Sequence, residues 1–81
     1  MPKLRQLSGQ DVVKILESFG FHLDYQQGSH IKMKRKIIGM PSQIMTVPAH
    51  RTLDKGMTKG LFNQAKKYIP ESELYPLFYT K

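Results

Sequence analysis

Apolar and polar positions along this chain switch from a helical period to a strand period and back again. Val12, Leu16 and Phe19 recur at i, i+4 and i+7, with Val13 and Ile15 on neighbouring positions, the spacing of a helix with one apolar face. Ser8 reads as its N-cap, with Asp11 placed to complete a variant capping box and to complement the positive end of the helix dipole. Gly20 is the expected stop, since a left-handed conformation costs glycine little. The period then falls to two. Phe21, Leu23 and Tyr25 alternate with His22 and Asp24, which predicts a half-buried strand with the first three residues inward. Gln26, Gln27 and Gly28 are expected to turn the chain.

In the next strand His30, Lys32 and Lys34 alternate with Ile31, Met33 and Arg35, so Ile31 and Met33 belong to a buried face while His30 and two lysines share the opposite one. Ile38 to Ser42 read as a hairpin connection, and Ile44 to Val47 as a third strand ended by Pro48. Thr58 is the expected N-cap of a second helix whose Leu61, Phe62, Ala65 and Ile69 form an apolar stripe, with Lys59, Asn63, Lys66 and Lys67 outward and Pro70 as terminator. Between Ser72 and Leu77 a short helical turn is expected, limited by Pro76. The order helix, three strands, helix predicts an α+β fold: a three-stranded antiparallel sheet with both helices on one face and the other face open. Double-stranded-RNA-binding domains share this α-β-β-β-α plan, although fold order alone does not establish function.

Length and composition narrow the picture. At 81 residues the chain suits one domain over 1–81 with one modest core. Residues 71–81 form a C-terminal extension of unassigned structure. The chain has no cysteine, which removes disulfides, thiolate catalysis and thiolate zinc sites together. No apolar run is long enough to span a bilayer, and the start lacks the apolar core of a secretory signal. A cytoplasmic protein without membrane attachment is expected. Thirteen Lys and Arg against six Asp and Glu give a formal net charge of +7, a footprint suited to phosphate, anionic lipid or an acidic protein. The distribution favours phosphate, because Lys32 and Lys34 share a strand face with His30.

Several of these residues together carry a family likeness. The segment Ile15 to Phe21 leads into Gly28, Ser29 and His30. Val47, Pro48, Ala49 and His50 follow, then Lys55, Gly56, Met57, Thr58 and the helix through Ala65. This ordered set resembles the HicA family of toxins over roughly residues 7 to 70. The resemblance implies a double-stranded-RNA-binding-like fold and a toxin of a type II toxin-antitoxin system. It further implies endoribonuclease action on messenger RNA and neutralisation by a cognate HicB-type antitoxin. By position His30 matches the family's catalytic histidine. The link from Lys36 to Gln43 is longer than usual for the family, and the tail from Tyr75 extends past its core.

The residue chemistry agrees. RNA carries a 2′-hydroxyl beside each phosphodiester, so cleavage proceeds by internal attack. One group must remove that proton, another must protonate the leaving oxygen, and cations must stabilise the charge developing on phosphate. Neither a metal nor a small-molecule cofactor is needed. His30 is the candidate general base or acid, being able to exchange protons near neutral pH. Lys32 or Lys34 is the candidate phosphate cation, Gly28 allows close approach of the RNA backbone, and Ser29 either donates to phosphate or fixes the turn. Each has a plainer alternative. His30 could bind phosphate without moving a proton, which would make the chain a non-catalytic RNA-binding module. His50 is a secondary catalytic candidate or a structural residue fixing the entry to the second helix. His22 is expected on the surface. A metal site from His22, His30 and His50 has no supporting spacing. Lys36, Lys59, Lys66 and Lys67 either extend an RNA track or keep the surface soluble. The apolar tail Leu74, Tyr75, Leu77, Phe78 and Tyr79 either meets the antitoxin or packs back on its own domain.

Overall fold

Ser8 and Asp11 form the expected box: Ser8 Oγ accepts from the Asp11 amide at 3.0 Å and Asp11 Oδ2 accepts from the Ser8 amide at 2.9 Å. The Ser8 backbone bond, with that from its hydroxyl, holds the Asp11 carboxyl below its ordinary pKa of 3.8. The box therefore contributes its full stability above that ordinary value and loses it as pH falls through the lowered one. The helix it starts, α1, covers Gly9–Ser18. It ends in a Schellman motif, with Phe21 N donating to Leu16 O and Gly20 N to Glu17 O, both at 3.1 Å. Gly20 permits this with a φ of 92°.

The computed structural model describes residues 2–80. Met1 and Lys81, the ends of the expected 1–81 unit, lie outside the described residues. After α1 come β1 (His22–Gln27), β2 (His30–Arg35), β3 (Gln43–Pro48), α2 (Lys55–Ala65) and α3 (Glu71–Phe78). The strands form one antiparallel sheet in the order β1-β2-β3. This is the expected α+β plan, double-stranded-RNA-binding-like, with α3 added. Ile31, Met33, Met45 and Val47 point from the sheet into a core shared with the helices, each 2% exposed or less. None of the helices among the described residues is long and apolar enough to cross a membrane.

Four local expectations need correction. The helix-two cap is Asp54, whose side chain accepts from the Met57 amide at 2.7 Å. Thr58 lies inside that helix, buried, its hydroxyl donating to the Asp54 carbonyl at 3.0 Å. A threonine back-bonded in this way has no polar group left over, so it can be buried where a cap could not. α2 also ends earlier than Pro70, at Ala65, and a turn carries the chain to buried Ile69. The β1–β2 turn is Gly28 and Ser29, with Gln26 and Gln27 still in β1. Finally, β1 does not alternate regularly: Leu23 pairs with Met33 but Tyr25 with Lys32, leaving Asp24 as the extra residue of a bulge. Leu23 is 53% exposed because α1 packs on β3 and leaves the β1 edge uncovered.

The tail packs back on its own chain. Leu74 and Phe78 on α3 are fully buried, and Phe78 meets Phe62 with ring centroids 5.3 Å apart. The N-terminal segment clasps the same helix, since Arg5 N donates to Phe78 O and Thr80 N to Lys3 O, both at 2.7 Å. At the opposite end of the core α1 touches β3 directly. A Cβ on Gly9 would collide with the Pro48 carbonyl and crowd Ala49 Cα at 3.1 Å.

Two measurements test this packing. Gly9→Ala should lower the melting temperature by several degrees, although alanine is about 1 kcal/mol the better helix former. Overpacking against backbone costs about 1–3 kcal/mol, and the carbonyl cannot swing aside; a raised melting temperature would contradict the contact. Phe78→Ala should cost about 3–5 kcal/mol in denaturant unfolding, whereas a loss below about 1 kcal/mol would show that α3 is not part of the core.

Candidate functional site

A two-residue turn sets the site. Gly28 has φ of 58° and Ser29 a negative φ, the sign pattern of a type II′ hairpin turn, for which glycine is the favoured first residue. Gln26 Nε2 donates to the Gly28 carbonyl at 3.1 Å. The Ser29 carbonyl accepts from the Ala49 amide at 2.7 Å, and the His50 carbonyl accepts from the Gly9 amide at 2.9 Å. Main-chain hydrogen bonds thereby tie the turn to the end of β3, and the end of β3 to the start of α1.

Paired residues on adjacent strands share a face, so the register assigns the open side row by row. The first row is Gln27, His30 and Pro48; the second is Tyr25, Lys32 and Thr46; the third is His22, Lys34 and Ile44. A shallow hollow of about 260 Å³ lies across the first two rows, lined by Tyr25, Gln27, His30, Lys32 and Thr46. Lys32 Nζ sits 5.1 Å from the centroid of the Tyr25 ring, a cation–π distance. At about 3.3 Å rise per residue, Lys32 stands about 7 Å along β2 from His30 and Lys34 about 13 Å. Of the two lysines, Lys32 shares the hollow with the imidazole and Lys34 flanks it.

Electrostatically this face is unbalanced. Among the described residues the ion pair is Lys66 with Glu71, at 3.6 Å, so Lys32 and Lys34 keep their charge uncompensated. His30 is exposed, open to solvent and to any polymer laid on the sheet. The other sequence candidates fall around it. Gly28 and Ser29 make the turn between Gln27 and His30 without lining the hollow themselves, and Ser29 is bonded through its backbone. The imidazole of His50 is exposed and does not line the hollow, while its carbonyl anchors α1. His22 stands in the third row, at the far end of β1 from the turn. Among the described residues no three His, Asp or Glu side chains gather as metal ligands.

Tyr25, Gln27 and Thr46 were not expected in the site. Thr46 follows from the period of two in β3, opposite Met45 and Val47. Gln27 and Tyr25 follow from the turn: a two-residue loop at Gly28 and Ser29 pairs 27 with 30, 26 with 31 and 25 with 32. Counting back from the turn puts Tyr25 beside Lys32, whereas counting forward from Phe21 crosses the bulge and reverses its face.

A family model described as HicA toxin of bacterial toxin-antitoxin matches residues 9–66, which takes in α1, the sheet and α2 and leaves α3 outside. No curated protein and no solved structure matches the chain. The match contains the Gly28–Ser29 turn, His30, Lys32 and the segment Val47 to His50, and by it the chain belongs to the HicA family of toxins from bacterial toxin-antitoxin pairs.

Proposed function

We propose that this toxin is a metal-independent endoribonuclease that cleaves messenger RNA in the cytoplasm, on the open face of its sheet, with His30 as general acid or base. The observation that carries the reading is the hollow that an exposed imidazole, His30, and an ammonium free of any carboxylate partner among the described residues, Lys32, line together. RNA supplies the nucleophile itself. The 2′-oxygen attacks the adjacent phosphorus, the bond from phosphorus to the 5′-oxygen breaks, and the products are a 2′,3′-cyclic phosphate and a 5′-hydroxyl. His30 takes the 2′-hydroxyl proton or delivers one to the departing 5′-oxygen, and water completes the exchange. Lys32 stabilises the negative charge that builds on the non-bridging oxygens. Lys34, one open-face row further, holds the neighbouring phosphate. The Gly28–Ser29 turn carries no bulky side chain next to His30, so the RNA backbone approaches the imidazole closely from that side.

A toxin of this family has a cognate antitoxin. On the present reading it is a HicB-type protein that covers the open face, with acidic groups drawn to Lys32 and Lys34. His50 acts through its backbone, by fixing α1 to the end of β3.

The test is cleavage of RNA by purified protein with chelator present. Wild type should cleave, and His30→Ala should lower the rate by about 10²–10⁴, the usual contribution of a general acid or base. His50→Ala should change it by less than about ten-fold, a loss too small for a group that moves a proton in the transition state. RNA binding without cleavage by the wild type would sink the enzyme reading in favour of a non-catalytic RNA-binding module.

A further inference from the structure

We propose that Tyr25 is a stacking platform for an unpaired base, so that the substrate is bound as a single strand at the hollow. The inference rests on the ribonuclease reading for the identity of the polymer and adds the state in which it is bound.

The bulge at Asp24 is the device that makes the platform. Without the extra residue, the strand would continue the alternation of Phe21 and Leu23 and turn Tyr25 toward the helices. With it, Tyr25 pairs with Lys32 and faces the open side. There Tyr25 as a residue is 49% exposed although large and aromatic, and it borders the hollow that holds His30. Lys32 lies over one face of the ring, so a base stacks on the face that Lys32 leaves uncovered, with the phosphate cation beside it. An aromatic face beside a cation on a flat, basic sheet is the arrangement used to bind single strands, in which bases stack on rings and phosphates meet lysines. A duplex offers no such contact, because its base faces are buried against one another and proteins read it by shape and 2′-hydroxyls.

Cleavage chemistry points the same way. Internal attack needs the 2′-oxygen, the phosphorus and the 5′-oxygen in line, and a regular helical backbone holds them far from that geometry. Drawing one base out of the stack and onto Tyr25 frees the adjoining ribose to rotate into a near-attack conformation over His30. The stacking interaction is thereby a positioning interaction as well as a source of affinity. Thr46, across the row from Tyr25, offers a hydroxyl to the edge of the stacked base.

Binding of uncleavable 2′-O-methyl oligouridine and oligoadenosine of about ten nucleotides separates this proposal from the cleavage assay. Tyr25→Ala should weaken single-strand binding by about ten-fold or more, Tyr25→Phe should leave it within about two-fold, and Tyr25→Trp should strengthen it. The duplex formed from the two oligomers should bind more weakly than either strand and be insensitive to Tyr25→Ala. Equal binding by Tyr25→Ala and wild type, equal losses for the Phe and Ala variants, or tighter binding of the duplex would overturn the proposal. Absence of cleavage by wild type would overturn the enzyme reading and leave these binding results to decide the platform separately. Tyr25 is an exposed side chain, and matched melting temperatures of the variants and the wild type confirm that binding is compared between folded proteins.

Discussion

Arg35 is the interaction on which the two-faced sheet depends. It is the last helix-side residue of β2, and its guanidinium spends its donors on three elements at once. Nε donates to Gln43 Oε1 at 2.7 Å, Nη1 to the Phe19 carbonyl at 2.9 Å and Nη2 to the Tyr68 carbonyl at 2.7 Å. Its plane lies over the Phe21 ring at 5.0 Å. The two carbonyls belong to the end of α1 and the turn after α2, where free acceptors and the negative ends of helix dipoles favour a cation. One side chain therefore fixes both of these helices to the sheet. Lysine could not replace it, having a point charge in place of a planar fork. Hydrogen bonds from charged donors contribute about 1.5–3 kcal/mol each, against a total stability of about 5–15 kcal/mol for a domain. With Arg35 committed beneath the sheet, the period of two leaves Lys34, Lys32 and His30 on the other side.

The opposite end of the sheet is fixed by backbone. The Ser29 carbonyl holds Ala49, the His50 carbonyl holds Gly9, and the absence of a side chain at Gly9 lets α1 lie against Pro48. Between these two anchorages lies the hollow, lined by exposed Tyr25, Gln27, His30 and Thr46 and by half-buried Lys32. The outer strand behaves differently. All six residues of β1 are exposed, and its bulge lies one residue from Tyr25, so the ring belongs to the least buttressed part of the sheet. The backbone beside His30 is thus anchored through Ser29, whereas Tyr25 stands on the uncovered outer strand.

Much of this was legible in the sequence because it depended on local period and local caps. The Ser8–Asp11 box, the Gly20 stop and the alternation of His30, Lys32 and Lys34 all follow from neighbours in the chain. What escaped depended on distant partners or on competition. Asp54 outcompeted Thr58 as a cap because burial of Thr58 is compatible with a hydroxyl bonded back into its own helix. Tyr25 changed face because a single inserted residue reverses every side chain on one side of it. The alternation puts Arg35 on the side of Ile31 and Met33, but nothing in its neighbours announces that its acceptors come from Phe19 and Tyr68. The role of α3 turns on Phe78 finding Phe62 across the core, a contact invisible to periodicity and beyond the residues matched by the family model.

The central claim is that this open face carries out internal transesterification, with RNA supplying the nucleophile and His30 the proton transfer. Analysis of the ends left on cleaved RNA tests it most directly. The expected products carry a 2′,3′-cyclic phosphate on one fragment and a 5′-hydroxyl on the other, and RNA with a 2′-deoxy or 2′-O-methyl group at the cleaved position should stay intact. Fragments with a 3′-hydroxyl and a 5′-phosphate, formed equally well from the 2′-blocked RNA, would contradict it.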